Sequence, residues 1–425
     1  MSRLIVDVTE LSNWQGKLTG VPRVINELSI RFSKDKSVIF VSWDSRRRKF
    51  NILDVASLGF SSLETGYDNN LKTKAKTRNT TETLKQLIRK SSMASKITEI
   101  TIRDIRYLKT IKFGGNYNSS SLSFRHNDVL LMMSDWHGSD INFINALKEA
   151  QSNGVDLIQL VYDMLPIIAP QYSGHATAYL SRYVKAIFPL CKLLIAISEQ
   201  TKIDIQKWLK NNNLVPPDIA VIRLGDDFKV ARPVKPSDPS FKKLNIEGND
   251  YILCVGTIEA RKNHMLLYYV YKLAHSRGIQ LPKLLIVGRT GWHSENAYDL
   301  LTKDSEVNNR ILILQNINDN ELSWLYRHTL FSIYPSFYEG WGLPIAESML
   351  HRKVCISSNT SSIPEIAGKL IEYFNPTSTE ECLDLIIKLM NPRNLEKANN
   401  KILKYKITTW DTTFQTLRSI MDKYE

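Results

Sequence analysis

Ser336-Phe-Tyr-Glu-Gly-Trp-Gly-Leu-Pro-Ile-Ala-Glu347 is the stretch from which the rest of this chain can be read. The apolar run 330–334 before it predicts a buried strand, which Pro335, Gly340 and Gly342 break into a tight loop. A helix should follow, with Pro344 at its first position, where a missing amide hydrogen leaves no bond unmade. Glu347 then lies about one turn into the helix while Glu339 sits on the loop, so two carboxylates reach one crevice from different heights. The amides of Trp341, Gly342 and Leu343 fall at the helix N-terminus, where free donors and the helix dipole favour an anion such as a diphosphate. Carboxylates for hydroxyls and amides for phosphate suit a sugar nucleotide. An ordinary strand-to-helix turn with two solvated glutamates fits the same spacing, which alone leaves both readings open.

The segment from Glu339 to Glu347 resembles the paired-glutamate motif of the family 4 retaining glycosyltransferases. The resemblance implies the GT-B fold, an α/β architecture of two Rossmann-like domains facing a central cleft. It also implies that Glu339 contacts the donor sugar and Glu347 the nucleotide ribose, with Gly340, Trp341, Gly342 and Leu343 completing the donor loop. The match is similar in type to bacterial polysaccharide and O-antigen enzymes of mannosyltransferase kind. The partners this implies are a nucleotide-sugar donor, with GDP-mannose the best guess, and a lipid-linked saccharide acceptor.

Toward the N-terminal side of the same half, Val255-Gly-Thr-Ile-Glu-Ala-Arg-Lys-Asn263 closes a predicted strand, 251–255, with two cations before a helix. Cations there can neutralise a diphosphate, although a basic surface turn reads the same way. The segment resembles the family's donor-phosphate turn, which implies that Gly256, Arg261 and Lys262 bind donor. Many members place an arginine directly after the glycine. This chain has Thr257, which leaves Arg261 to supply that cation. Further predicted strands at 284–287, 311–314 and 354–357 alternate with helical lengths, and the turns Gly288-Arg-Thr-Gly-Trp292, Asn318-Asp-Asn-Glu-Leu322 and Ser361-Ser-Ile-Pro-Glu-Ile-Ala-Gly368 follow the family's order.

The N-terminal half opens with a strand at Leu4-Ile-Val-Asp-Val, a loop containing Gly16 and Gly20, and a helix from about Val21. Glycine there lets a ligand approach the backbone. Thr19-Gly-Val-Pro-Arg-Val24 resembles the glycine loop of polysaccharide-building members, which implies that Gly20 lines the cleft beneath the donor. Apolar runs at 129–133, 157–161, 193–197 and 219–224 predict a parallel sheet, whose ligand crevice lies beyond the strand C-termini. Three polar clusters occupy those ends: Ser134-Asp135-Trp136-His137, Tyr162-Asp163-Met-Leu-Pro166 and Ser198-Glu199. Asp135, His137 and Tyr162 are the acceptor-side candidates. Tyr162-Asp163-x-x-Pro166 is similar to the family's His-Asp-x-x-Pro loop but has tyrosine where histidine often stands. Asp163 joins Glu339, Arg261 and Lys262 as a candidate catalytic group.

At 425 residues the chain exceeds one hydrophobic core, and 43% hydrophobic with 23% charged residues marks it as globular. The expected division is an N-terminal acceptor-side domain 1–228, a proline-bearing linker 229–248, a nucleotide-sugar domain 249–409 and a last helix 410–425 that crosses back. Four scattered cysteines suggest a reducing compartment. The N-terminus reads as a strand rather than a signal peptide, and no run reaches the roughly 18 apolar residues of a membrane span. The expected location is cytoplasmic, with peripheral attachment to the inner membrane face as one reading. That reading rests on 71–113, where twelve lysines and arginines face three acids beside an isoleucine-rich stripe. An anionic membrane surface and a solvated helical insertion both fit, whereas nucleic acid is disfavoured because stacking aromatics are almost absent.

No two aspartates are spaced one apart, so the usual metal-binding pair of metal-dependent sugar transfer is missing, and neither metal nor cofactor is expected. Charge on the leaving diphosphate would then fall to Arg261, Lys262 and helix-terminus amides. A sugar-nucleotide epimerase on the same fold and a noncatalytic polysaccharide-assembly subunit are the alternatives. An epimerase needs no acceptor, and a noncatalytic subunit would not hydrolyse donor.

Overall fold

The computed structural model describes residues 2–14, 18–54, 120–134, 140–173, 176–227, 250–291 and 293–424. The basic segment 71–113, the linker 229–248, Gly16, Asp135, Trp136, His137 and Trp292 lie outside those residues.

Two sheets organise the chain. The first contains β1 (Leu4–Asp7), β2 (Ile39–Asp44), β3 (Lys49–Ile52), β4 (Val129–Met132), β5 (Asp156–Val161), β6 (Leu193–Ala196) and β7 (Asp218–Val221), in the order β3-β2-β1-β4-β5-β6-β7. The second contains β8 (Tyr251–Val255), β9 (Lys283–Val287), β10 (Ile311–Leu314), β11 (Phe331–Tyr334), β12 (Cys355–Ser358) and β13 (Tyr373–Phe374), in the order β10-β9-β8-β11-β12-β13. β1, β4, β6, β11 and β12 are buried at every position, as sheets covered by helices on both faces require. That is why the sequence shows them as continuous apolar runs rather than alternating ones.

In each sheet the first strand sits in the interior, and the chain winds outward on one side before returning to the other. The winding reverses between β1 and β4 in the first sheet and between β8 and β11 in the second. At such a reversal the following loops diverge and leave a crevice beyond the strand ends. The turn after β8 carries Gly256, Arg261 and Lys262, and the loop after β11 carries Glu339, so these candidates flank the reversal of the second sheet.

Three features depart from the sequence reading. β2 and β3 form an antiparallel hairpin, with Trp43 paired to Phe50 and Asp44 to Lys49, and the intervening arginines conceal it; β3 is the edge strand. β13 has only two residues, too few for a periodic signal. The helix after Gly342 begins at Leu343, so Pro344 takes its second position; it remains in the first turn, where no intrahelical amide bond is lost.

The helix Trp410–Met421 returns to the first sheet's domain. Its cap Thr409 accepts the Thr412 amide, Trp410 donates its own amide to Asp227 at 3.0 Å, and Phe414 meets Phe32 edge-on at 4.9 Å. A side chain at Gly225 would meet the Trp410 ring at 2.6 Å, so glycine is what admits the indole there. Trp410 is 1% exposed, and its burial is the main apolar anchor of this return. Trp410→Ala should therefore cost about 3–5 kcal/mol in denaturant unfolding. A loss under about 1 kcal/mol would mean the helix is not anchored there.

Candidate active site in the interdomain cleft

The turn after β8 builds the first wall. Its single helical turn, Ala260–Lys262, ends at Asn263 in the left-handed conformation, and the Asn263 side-chain amide donates to the carbonyls of Pro335 and Pro376 at 3.1 and 2.8 Å. The turn is thereby tied to the loop after β11. Phe337 also donates its amide to the Arg261 carbonyl at 2.8 Å.

Glu339 lies in the middle of this arrangement, 6% exposed. Arg261 reaches its Oε2 at 2.6 Å and Lys262 reaches its Oε1 at 2.7 Å. Arg261 also pairs with Glu259 at 2.7 Å, and Lys262 donates to the Tyr334 hydroxyl. Burial pushes the Glu339 carboxyl up, but the charges of Arg261 and Lys262 outweigh it and hold the group at about 2. Burial, with the Arg261 charge, pushes the Lys262 ammonium down against the raising effect of Glu339. His264 beside it is buried and, by burial and the Lys262 charge, held neutral with a pKa of about 3.

Glu347, on the helix Leu343–Leu350, is also buried. It accepts from the Tyr326 hydroxyl at 3.2 Å and from Arg23 of the first domain at 3.0 Å. Gly342 caps that helix, and among the described residues the amides of Gly342 and Leu343 donate to no group, which leaves them available to an anion. Trp341 does not open to the crevice. Its indole is buried beneath the Arg223 guanidinium, 5.3 Å from the ring centre.

The opposite wall comes from the first domain. Asp163 follows β5, accepts the Leu165 amide at 3.0 Å, and faces Gly340. Burial pushes its carboxyl up, against the opposing charge of Arg261. A side chain at Gly340 would come within 2.2 Å of the Tyr162 carbonyl, so the close approach of the two walls requires glycine at this point. Tyr162 itself is corrected as an acceptor contact: it is 3% exposed and its hydroxyl donates to the Met133 carbonyl at 2.8 Å. An aromatic ring at the end of a buried strand gains more from core packing than from facing the cleft. Gly20 caps the helix Val21–Phe32, whose third residue is Arg23. Asp135 and His137 lie outside the described residues.

Sequence reading passed over several cross-cleft groups. Glu365 accepts the amides of Glu199 and Gln200, both at 2.8 Å, and so caps the helix Glu199–Asn211 of the other domain. Tyr338 donates to Asp204 at 2.6 Å, also across the cleft. Ser361 and Ser362 donate to the Glu339 carbonyl, and Ser362 also donates to that of Trp341, pinning the loop that carries the carboxylate. The Ser-Ser-Ile-Pro-Glu run was visible as a turn and helix start. Nothing local to it could show that its partners lie some 160 residues away.

Two doubly wound α/β domains with a charged crevice between their facing loops define the GT-B class of proteins. Residues 237–406 match the family model described as glycosyl transferases group 1. O-antigen chain mannosyltransferase B of Escherichia coli is 25% identical over 237 residues, which cover 55% of this chain and 59% of that protein. The serotype-specific mannosyltransferase WbdA of Escherichia coli is 24% identical over 305 residues, covering 66% of this chain and 36% of its own length. The chain thus spans less than two thirds of the length of these relatives. Among solved structures, sucrose-phosphate synthase from Thermosynechococcus elongatus superposes with a TM-score of 0.62 at 13% identity, covering 100% of this chain and 99% of its own. HepE of Anabaena, solved with UDP and glucose, gives the same score and identity and covers 100% of both chains. At these identities the superpositions establish the fold.

The Glu339 cluster sets a pH dependence. With its folded pKa at about 2 against an ordinary 4.5, the carboxylate contributes stability that is complete above the higher value and is lost as pH falls toward the lower. The melting-temperature gap between wild type and Glu339→Gln should therefore shrink between pH 5 and pH 2.5. A gap that stays constant over that range would show that Glu339 is not held by charge.

Proposed function

We propose that this chain transfers a sugar, with retention of anomeric configuration, from a nucleoside diphosphate sugar to a saccharide acceptor. The observation that carries the reading is Glu339, a charged carboxylate held by two cations at the reversal of the second sheet, with Glu347 about one turn into the helix that follows. In this reading Glu347 accepts from the ribose hydroxyls, Glu339 accepts from a hydroxyl of the donor sugar, and the free amides of Gly342 and Leu343 take the diphosphate. The bond from the anomeric carbon to the diphosphate oxygen breaks, and the acceptor oxygen attacks on the same face. Its proton passes to the departing diphosphate, so no protein nucleophile is needed. Arg261, Lys262 and the helix-terminus amides stabilise the charge that develops on the leaving group, and closure of the two walls keeps water from the donor.

The names of the relatives favour mannose as the sugar and an O-antigen-like chain as the acceptor; GDP-mannose as the donor and a lipid link on the acceptor are part of this proposal. No helix among the described residues is long and apolar enough to cross a membrane. In this proposal the basic segment 71–113 holds the protein at an anionic membrane surface, where each cation adds about 1 kcal/mol. Transfer needs no metal.

With GDP-mannose as donor, Glu339→Gln should lower kcat by about 100-fold, the scale of losing one preorganised polar contact, and leave GDP affinity within about twofold. Glu347→Gln should instead weaken GDP itself. The same assay should be insensitive to EDTA. Equal loss of GDP affinity in both variants would show that the two carboxylates act as one structural unit, and the assigned roles would fall.

A further inference from the structure

Glu339 and the three charged groups linked to it by ion pairs balance one another. Arg261 and Lys262 supply two positive charges, and Glu339 and Glu259 remove two. A diphosphate entering beside them brings more negative charge than this closed set can neutralise without breaking a buried pair, and breaking one is costly. Further positive charge is needed, and it has to reach the same crevice.

Arg23 is placed to supply it. It is the third residue of the helix Val21–Phe32, a twelve-residue helix whose N-terminus faces the second domain. Its guanidinium is half-buried and crosses the cleft to Glu347, at 3.0 Å, on the helix whose free N-terminal amides lie one turn away. Arg23 lies in the first turn of one helix and meets Glu347 about one turn into the other, and the N-terminus of a helix favours an anion. Glu347 is also the carboxylate that ribose hydroxyls would take. Hydroxyls are neutral donors, so a ribose can replace the guanidinium hydrogen bond on Glu347 while leaving the arginine its charge. The planar fork of an arginine then suits two phosphate oxygens better than any other side chain.

We propose that Arg23 is a diphosphate ligand contributed across the cleft by the first domain. In the ligand-free chain it rests on Glu347, and ribose binding releases it to the phosphates. This rests on the donor reading given above and goes beyond it, because it couples recognition of the nucleoside to capture of the diphosphate. It also gives the first domain a direct hold on the donor.

Calorimetric titration of the full chain with GDP and guanosine, and with UDP and uridine, tests it. Wild type, Arg23→Lys and Arg23→Ala are compared. For the nucleotide that binds, Arg23→Ala should lose at least about 10-fold in affinity for the diphosphate, Arg23→Lys should lose less, and affinity for the bare nucleoside should stay level or rise because Glu347 is relieved of a competitor. Equal changes for diphosphate and nucleoside, or a tighter nucleoside with an unchanged diphosphate, would overturn the proposal and leave Arg23 as an interdomain strut. Such results would not touch the donor reading itself. Failure of wild type to bind either diphosphate would remove both. Arg23→Ala leaves the buried Glu347 carboxylate without its cation and should lower the melting temperature, so circular dichroism at the titration temperature checks that each variant is folded and that an affinity loss is not a folding loss.

Discussion

A carboxylate buried at the reversal of the second sheet has to be paired, and much of the cleft follows from that requirement. Removing Glu339 from water costs several kcal/mol before any compensation, so its two cations are needed to keep it charged. Both come from a single turn, Ala260–Lys262, which must then stand against the loop after β11. Asn263 and the Phe337 amide fasten the two segments together, and the serines at 361 and 362 fix the loop from the other side. The result is a carboxylate whose position is set by contacts in all directions. Catalytic geometry needs that kind of over-determined placement.

The facing domain meets this arrangement through polar contacts and through the stacked rings of Tyr172 and Phe337, 5.5 Å apart. Arg23 on Glu347, Glu365 on the amides of Glu199 and Gln200, and Tyr338 on Asp204 each pair a group of one domain with a group of the other. Contacts of this type exchange readily with ligand hydroxyls, phosphates and water, because each partner has an alternative donor or acceptor once the cleft opens. A cleft closed in this way can admit a polar ligand at modest cost. The helix Trp410–Met421 is bound differently, by a buried indole and an edge-on aromatic pair, and suits a permanent tie.

Most of the two sheets was legible because buried parallel strands leave continuous apolar runs, and β8 and β10 fall on the residues the sequence indicates. The hairpin of β2 and β3 was not, since Arg46, Arg47 and Arg48 in the turn between them interrupt the apolar pattern with charge. Glu339, Arg261 and Lys262 stood out by motif, and their mutual contact follows from strand order, which no local spacing reveals. The partners of Glu347 and Glu365 were invisible for the same reason: Arg23 is more than 300 residues from Glu347 in sequence. Tyr162 misled because its position at a strand end suggested the cleft, whereas its ring belongs to the core.

In the proposed function one donor molecule is held between the two sheet reversals, touched by both domains. Amide hydrogen exchange on the full chain, with and without GDP-mannose or UDP-glucose, tests this most directly. A bound donor should slow exchange together in the turn 256–262, the loop and helix start 339–347, and the first-domain segment 20–24. Slowing confined to one domain, or located away from these three segments, would contradict it.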